Sequence, residues 1–361
     1  MNQKKILFVC PYPENVAPSQ RLKFEQYYPI FRGDGFTVHT HAFISKSFWK
    51  IIYKPGNFFS KAFYTLSGYL RRLQLLFQLH RYDVVYIHLW VTPFGPPVFE
   101  WLVCRLSKKV IYDIDDLVYL KNVESKVHPL VTLIKGRKKP VFLMKAADHV
   151  ITCTPYLDQF VQKLNRHTTD ISSTIATDRY RPKEDYEMSP PLRIGWSGSL
   201  STSKYLHLLD DVFVELAKEV PFTLVVMGDA SFSLPGVHVE AIAWKEEIEI
   251  STIRSFDIGV YPLPDEEWVL GKSGLKALQY MAAGVPTVAT AIGTIFRIIE
   301  DGQNGFLVTT LQQWMEKLLL LLKDAGLRKC IGLRAVKTVE ENYSIQANKA
   351  TYLSIVNSLV C

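Results

Sequence analysis

Short apolar runs alternate with helical patterns along this chain, and the alternation begins a second time half-way. In the first half we predict strands at 5–10, 37–43, 83–88, 109–112 and 149–152. Helices are predicted between them at 20–31, 59–79, 97–106 and 131–146. This alternation is typical of parallel sheets that carry helices on both faces.

The second half repeats the pattern. Strands are predicted at 193–196, 223–227, 237–240, 258–261, 287–289 and 305–308. Helices are predicted at 205–218, 248–255 and 273–283, and the tail from about 311 to 361 also has a helical pattern. The stretch 181–191 is rich in charge and proline, which predicts a linker.

These patterns predict an α/β fold of two Rossmann-like, doubly wound domains that face a cleft. We expect an N-terminal domain at 1–185, a second at 186–340, and a C-terminal helix at 341–361 that can cross back to the first. A length of 361 residues suits two cores better than one. Ligands of such sheets bind at the carboxyl ends of the strands.

The composition favours a globular cytoplasmic protein, with 48% hydrophobic and 21% charged residues. The first apolar run, 6–10, is too short for a signal peptide, and no later run is long enough to span a membrane. The five cysteines form no Cys-x-x-Cys pair. This argues against a zinc knuckle or a disulfide framework.

The formal net charge of +7 is concentrated in one segment. Between Gly35 and Tyr82 there are seven Lys and Arg residues and no Asp or Glu, with aromatic residues among the charges. Such a mixture suits an anionic lipid surface, so residues 46–81 are predicted to contact the inner face of a membrane. The alternative is a solvated helix with a basic face. No nucleic-acid partner is expected, because no binding motif accompanies the charges.

The stretch 271–289 is the best candidate for an anion site. Ser273 can cap a helix, and Gly271 and Gly274 permit the close approach of a bulky anion. Lys272, Lys276 and Gln279 share one helix face, and ammonium groups at a helix N-terminus oppose its dipole. An anionic ligand would resolve that conflict; solvated lysines on a surface helix are the alternative. Neither a Gly-x-Gly-x-x-Gly nor a Walker phosphate loop is present.

Three carboxylates, Asp113, Asp115 and Asp116, end a predicted strand. Such a cluster is costly unless something needs it. It can bind a divalent cation, cap the segment that follows, or orient an acceptor hydroxyl and take its proton. Under the third interpretation Asp115 or Asp116 is catalytic.

Two further side chains are candidates for a ligand-binding cleft. Arg21 follows the first strand and can face an acceptor or donor phosphates, although a plain surface arginine is an equal alternative. His88 ends a strand and can border an acceptor pocket, unless it is a satisfied core histidine.

Four stretches of the chain resemble one family of proteins. The runs Tyr280-Met-Ala-Ala-Gly-Val-Pro-Thr-Val-Ala289 and Asp301-Gly-Gln-Asn-Gly-Phe306 resemble the donor half of retaining family-4 glycosyltransferases of GT-B fold, the glycosyl transferases group 1. Arg193-Ile-Gly-Trp-Ser-Gly-Ser199 resembles the first strand and phosphate loop of that half. Ala147-Asp-His-Val-Ile-Thr-Cys-Thr-Pro155 resembles the end of the other half, so the resemblance covers nearly the whole chain.

The resemblance implies donor-binding residues in the second domain. Gly198 and Ser199 lie in the phosphate loop, where Ser199 occupies the position of the family's arginine and Lys204 that of its lysine. Gln279 stands where the family has a ribose-binding glutamate, and Gly271 where it has a second glutamate. The Glu-x7-Glu pair is therefore absent. The chain resembles a branch of the family that lacks this pair. We hypothesise that Lys272 supplies the missing charge and Gln279 the ribose hydrogen bond.

The implied function is transfer of a sugar, with retention, from a nucleotide sugar to a glycan or lipid-linked acceptor. The implied context is the synthesis of cell-surface polysaccharide or glycoconjugates. No cofactor and no metal are expected. One alternative is an epimerase or phosphorylase of the same fold. The other is a non-catalytic binding or scaffold protein that kept the fold.

Overall fold

The computed structural model describes residues 3–117, 136, 138–187 and 191–360. The chain divides into two compact units, Met1–Ser172 with Asn348–Cys361 and Ser173–Ala347. Each unit contains a six-stranded sheet whose neighbouring strands are all parallel. The predicted α/β class with two parallel sheets is confirmed.

The sheet of the first unit has the order β2-β1-β3-β4-β5-β6. Its strands are β1 Lys4–Cys10, β2 Phe36–Ala42, β3 Val84–His88, β4 Val110–Asp113, β5 His149–Thr152 and β6 Thr168–Asp170. The strand order reverses between β1 and β3, which is where open α/β sheets bind ligands. Cys10 and His88 end these two strands, so the residues that follow them flank a candidate site.

Among the described residues, seven helices connect these strands. They are α1 Pro18–Arg21, α2 Tyr28–Gly33, α3 Lys46–Ile52, α4 Phe58–Leu76, α5 Val98–Leu106, α6 Lys138–Ala146 and α7 Pro155–Gln162. The last helix of the chain, Ile345–Val360, also contributes to this unit. Its Tyr352 ring lies 4.2 Å from the Tyr27 ring, and its Asn357 Nδ2 donates to Asp34 Oδ2 at 2.7 Å.

The sheet of the second unit has the order β12-β11-β10-β7-β8-β9. Its strands are β7 Leu192–Ser197, β8 Phe222–Met227, β9 Val239–Ile242, β10 Ile258–Tyr261, β11 Thr287–Thr290 and β12 Phe306–Val308. Alternate residues of β8 enter two different apolar clusters: Leu224 and Val226 join one, and Val225 and Met227 join the other. A strand buried on both faces reads as a continuous apolar run, which is why it was predicted.

Helices cover both faces of this sheet. They are α8 Asp210–Glu219, α9 Glu246–Arg254, α10 Leu275–Ala282, α11 Ile295–Ile298, α12 Leu311–Lys323 and α13 Ala325–Thr338; the last helix, Ile345–Val360, is α14. A 3-10 helix, Ser203–Leu209, precedes α8, and another, Glu267–Gly271, comes before α10.

The division of the chain differs from the prediction in two places. The boundary falls after Ser172 and not at 185. The predicted linker 181–191 is wrong as far as Glu187, because Lys183 is buried in an ion pair with Asp257 and Tyr186 donates to Gly284 O at 2.9 Å. The part of that prediction at 188–190 lies outside the described residues.

Some elements also differ from the sequence patterns. The predicted helix 20–31 is divided into α1, a 3-10 turn at Glu25–Tyr27 and α2. Pro29 has no backbone N–H to continue an earlier helix, and it lies in the first turn of α2, where none is needed. The predicted helix at 131–146 is described only from 138, because 131–135 and 137 lie outside the described residues. The helices α3 and α7 and the short strand β6 were missed.

Candidate active site

A turn of hydroxyl side chains follows β7 in the second unit. Ser199 Oγ lies 2.9 Å from Ser201 Oγ and 3.1 Å from Thr202 Oγ1. The turn begins where Gly198 and Gly228 pass closely: a Cβ on Gly228, whose φ is +116°, would lie 1.9 Å from Gly198 O. Only glycine fits at Gly228, because the residues that follow β7 and β8 lie in close contact there.

Lys276 lies on α10, the helix that follows the neighbouring strand β10, and its side chain reaches this turn. Its Nζ lies 3.4 Å from Thr202 Oγ1 and 4.4 Å from the centroid of the Trp196 ring. Burial and, to a smaller extent, the charge of Lys272 lower the pKa of Lys276 to about 7. A lysine that is half protonated near neutral pH gains from any anion that reaches it, because the anion favours the charged form.

Lys204 and Lys272 lie on a connected pair of aromatic rings. Tyr205 and Trp268 have ring centroids 5.3 Å apart. Lys204 Nζ lies 5.0 Å from the Tyr205 ring, and Lys272 Nζ lies 5.3 Å from the Trp268 ring. The structure therefore brings both predicted lysines to one side of the second unit through contacts that the sequence does not reveal.

The start of α10 corrects the predicted cap. The helix begins at Leu275, and its N-cap residue is Gly274, whose φ of +73° places it in the left-handed region. Ser273 is therefore not the N-cap residue; its Oγ lies 2.6 Å from Ser173 Oγ. Lys272 has extended backbone and precedes the helix. The prediction that Ser273 caps the helix and that both lysines lie on it is therefore wrong.

Gln279 lies deep on α10, only 4% exposed. Its Nε2 donates to Tyr180 Oη at 3.1 Å and to Glu249 Oε1 at 3.4 Å. Glu249, on α9, also accepts a hydrogen bond from Trp244 Nε1 at 3.1 Å. This carboxylate beside Gln279 was missed by the sequence analysis, since it is one of three glutamates in the segment 246–249 and nothing local distinguishes it.

In the first unit, Asp113 is at the centre of a buried charge cluster. Lys23 Nζ lies 2.9 Å from Asp113 Oδ1, and His88 Nδ1 lies 3.2 Å from Asp113 Oδ2. Burial raises the pKa of Asp113, but the charges and hydrogen bonds of Lys23 and His88 together outweigh that effect, and the pKa is lowered. His88 and Asp113 are both fully buried, and a role in acceptor binding stays a prediction.

Lys23 was not predicted. Its only signal in the sequence is general: a carboxylate at the end of a buried strand requires a counter-charge. Which cation provides it depends on the path of the chain between β1 and β2.

Asp115 and Asp116 follow β4 and are half-buried. Burial raises the pKa of Asp115, while the charges of His88 and Lys23 oppose the rise. Asp116 Oδ1 accepts a hydrogen bond from Leu117 N at 2.8 Å, and the residues that Asp116 was predicted to cap lie outside the described ranges. In the described part of the chain, no group of three or more His, Cys, Asp or Glu side chains is arranged to hold a metal ion.

Arg21 ends α1 and is almost fully buried, so it is not a plain surface arginine. The loop before it is held by Gln20, whose side chain bonds to both N and O of Tyr12 at 2.8 and 3.0 Å. Glu25 accepts from Asn15 N at 2.9 Å and from Gln20 Nε2 at 3.0 Å. These bonds define the path of the chain after β1.

Beside this loop lies an open cavity of about 400 Å³. Its lining comes from the loop after β1, the end of β2, α3 and α4, which contribute Glu14, His41, Lys46 and Arg71 respectively. A cavity at the carboxyl ends of two parallel strands, with both signs of charge, suits a polar ligand.

Residues 191–324 match the family model described as glycosyl transferases group 1. These residues lie within the second unit, and we refer to them as the group 1 domain. Among the curated relatives, a trehalose synthase of Pyrococcus horikoshii is 38% identical over 86 residues, which are 24% of this chain and 21% of that protein. The match spans about a fifth of the length of that protein and of two further trehalose synthases.

Solved structures resemble the whole chain and not only the group 1 domain. A glycosyltransferase from Rickettsia africae has a TM-score of 0.71 and 16% identity, and the alignment covers 100% of this chain and 99% of that one. The Anabaena protein HepE, in complex with UDP and glucose, has a TM-score of 0.68 and 17% identity, with coverage of 98% and 100%. At such identities the likeness shows the fold alone, and that fold is the one of GT-B glycosyltransferases.

All the residues predicted to bind the donor lie within the group 1 domain. The structure places Lys276 beside the turn that contains Gly198 and Ser199, and it joins Lys204 to Lys272 through two rings. Gln279 is apart from these, with its side chain turned toward α9. The predicted binding site therefore has a basic part and an amide–carboxylate part.

Proposed function

We propose that this chain is a glycosyltransferase that moves a sugar from a nucleotide sugar onto a glycan or lipid-linked acceptor. The observation that carries the proposal is the contact between Lys276 and the hydroxyl turn inside the group 1 domain. Ammonium and hydroxyl groups at strand ends suit a diphosphate. The relative HepE, solved with UDP and glucose, makes UDP-glucose the first donor to test.

Each part of the donor has a proposed partner. The hydroxyls of Ser199 and Thr202 donate to the phosphate oxygens, and Lys276, Lys272 and Lys204 neutralise their charge. Gln279 and Glu249 hydrogen-bond the ribose hydroxyls, so that Glu249 supplies the carboxylate that α10 lacks. This charge balance requires no divalent cation.

In the proposed reaction the bond between the anomeric carbon and the phosphate oxygen breaks. A bond to the acceptor oxygen forms on the same face of the sugar, so the configuration is retained. The acceptor proton passes to Asp115 or Asp116, and the lysines stabilise the departing nucleoside diphosphate. The raised pKa of Asp115 favours it as the proton acceptor. We place the reaction in the cytoplasm, in polysaccharide or glycoconjugate synthesis.

A second candidate is a nucleotide-sugar-binding protein without catalytic activity. It is favoured by Gly271 and Gln279, which stand where the resemblance implies two glutamates. An epimerase of the same fold is a third candidate, which would convert the donor without an acceptor.

One experiment separates these candidates. Common nucleotide sugars are screened by thermal shift, and the donor that stabilises the protein is then incubated with and without acceptor glycans and lipids. We expect nucleoside diphosphate to be released only when an acceptor is present. Binding without release supports the second candidate, and conversion of the donor without an acceptor supports the third.

Replacing Lys272 with Ala is expected to raise the donor dissociation constant at least tenfold, measured by calorimetry. The reason is the loss of one full charge near the diphosphate, worth at least about 1.4 kcal/mol for a tenfold effect. Lys323→Ala is the control, because Lys323 is an exposed lysine of α12 in the same unit. Equal affinity of the Lys272→Ala variant and the wild type would remove Lys272 from the site.

A further inference from the structure

Helix α4 is apolar on two opposite faces. One face packs into the first unit: Leu75 and Arg72 are buried, and a Cβ on Gly68 would lie 2.7 Å from the Phe43 ring. The opposite face is open to solvent. A helix in a water-soluble unit normally carries polar residues on its outer face, so the second apolar face requires an explanation.

The outer face has a regular pattern. Six large apolar residues repeat at alternating intervals of four and three residues, and each is between 46% and 94% exposed. We call them the α4 stripe: Phe59, Phe63, Leu66, Leu70, Leu73 and Phe77. At about 100° per residue they fall within an arc of about 80°, over a length of about 27 Å. An exposed apolar band of this size marks an interaction surface.

The charged residues of the segment that contains the stripe all have one sign. Lys46, Lys50 and Lys54 precede α4 and are exposed, and so is Arg81 after it. Between Gly35 and Tyr82 there is no acidic residue. Arg72 does not belong to this basic surface, contrary to the sequence-based prediction, because its side chain is buried.

We propose that the α4 stripe docks on an anionic membrane, with α4 lying parallel to the bilayer surface. The apolar side chains enter the boundary between headgroups and acyl chains, and the lysines contact the anionic headgroups. None of the helices in the described ranges is long and apolar enough to cross the bilayer. Docking in the plane of the surface is the arrangement that a 19-residue helix with one exposed apolar face permits.

The charge pattern decides against a second copy of this chain. Alternating intervals of four and three residues also occur in coiled coils, but those pair opposite charges beside the apolar seam. Two copies of this segment would bring positive charges together, because the segment contains no acidic residue. An anionic lipid surface supplies the missing negative charge.

The test is co-sedimentation of the full chain, without donor, with vesicles of phosphatidylglycerol and phosphatidylcholine or of phosphatidylcholine alone. We expect binding to the anionic vesicles that weakens at least tenfold between 50 and 500 mM salt, figures on the order expected for surface charges. The variant Phe63→Gln/Leu66→Gln/Leu70→Gln should bind at least tenfold more weakly. The control Leu311→Gln/Leu320→Gln/Leu333→Gln, which removes exposed leucines from α12 and α13, should bind like the wild type.

A charge-reversed pair tests the basic part. Lys46→Glu/Lys50→Glu should lose most of the preference for anionic vesicles, whereas Lys323→Glu/Lys329→Glu, two exposed lysines of the second unit, should keep it. Folding of every variant is checked by circular dichroism.

Three results would overturn the proposal. They are binding that is indifferent to salt and to anionic lipid, full binding by the stripe variant, and a dimer without vesicles that this variant abolishes. The proposal does not depend on the glycosyltransferase proposal, and donor binding is measured on the same variants. Loss of vesicle binding with donor binding retained concerns the membrane surface alone.

Discussion

Among single residues, Lys276 best connects structure with the proposed chemistry. Its ammonium group is packed over Trp196 and beside Thr202, and burial brings its pKa to about 7. In the free protein the neutral form is therefore populated at physiological pH. A bound diphosphate favours the charged form, so binding the donor takes up a proton.

The affinity for the donor should consequently depend on pH. Because the pKa is about 7 in the free protein, the dissociation constant should be nearly constant below about pH 6 and rise up to tenfold per pH unit above about pH 7. Calorimetry from pH 6 to 9 measures this. Lys276→Arg is the matched variant, since arginine stays charged throughout, and its profile should be flat. A rising profile that survives in Lys276→Arg would assign the titration to another group.

Among the elements, α4 is attached to the sheet of the first unit by one buried arginine. Arg72 donates from Nε to Val91 O at 2.9 Å, from Nη1 to His41 O at 2.7 Å and from Nη2 to Cys10 O at 2.8 Å. Burial lowers the pKa of Arg72 to about 10, so the group remains charged at neutral pH. These three carbonyls belong to the ends of β1 and β2 and to the loop after β3. The arginine thus links the carboxyl ends of β1 and β2 with the loop after β3.

Arg72→Met should lower the free energy of unfolding by about 3 kcal/mol or more, since hydrogen bonds to a charged group contribute about 1.5 to 3 kcal/mol each and are not fully additive. Urea denaturation followed by circular dichroism measures the loss. Arg71→Met is the control: this neighbour is half-buried and its Nη2 donates to Phe43 O, so the loss of stability should be smaller. If the two variants were equally stable, the three carbonyl contacts would not stabilise the unit.

At the scale of the whole molecule, the two units contain different parts of the proposed machinery. The lysines, the hydroxyl turn and Gln279 belong to the second unit, and Asp115 and Asp116 belong to the first. Substitutions of these residues in the second unit should therefore weaken donor binding, and those in the first unit should reduce turnover.

We expect Asp115→Asn or Asp116→Asn to reduce turnover at least about a hundredfold, the usual contribution of general base catalysis, with the donor dissociation constant unchanged. Initial rates of nucleoside diphosphate release and calorimetry on the same samples measure both quantities. Lys272→Ala should show the opposite pattern, with weaker binding as its main defect. If both Asn variants kept full turnover, the role of this carboxylate pair would be excluded.

Sequence patterns predicted the elements of the sheets better than they predicted their connections. Strands such as β5 and β10 are short and largely buried, and their bounds match the prediction. The cap of α10 was predicted wrongly because Ser273 is a good N-cap residue by type, while the packing of Gly274 against Ile298 decides where the helix starts. The segment 181–187 was predicted as a linker from its composition, although the ion pair of Lys183 with Asp257 holds it in the second unit.

The candidate site shows the same division. Lys272, Lys276 and Asp113 could be selected from sequence, because charged side chains at predicted strand ends and helix starts are exceptional. Lys23 and Glu249 could not, since each becomes a partner only through contacts with residues that are 90 and 30 positions away.

The amino-acid sequence by itself determined the α/β class, the two parallel sheets and the basic segment before and along α4, because these follow from local periodicity and composition. The tertiary structure alone decided which charges are paired, buried or exposed. Arg72 and Lys46 are both basic residues of the same acid-free segment. Arg72 is buried and donates to three carbonyls, whereas Lys46 is exposed to solvent. The physical reason is that the free energy of a charge depends on the dielectric and the partners around it, and distant parts of the chain supply both.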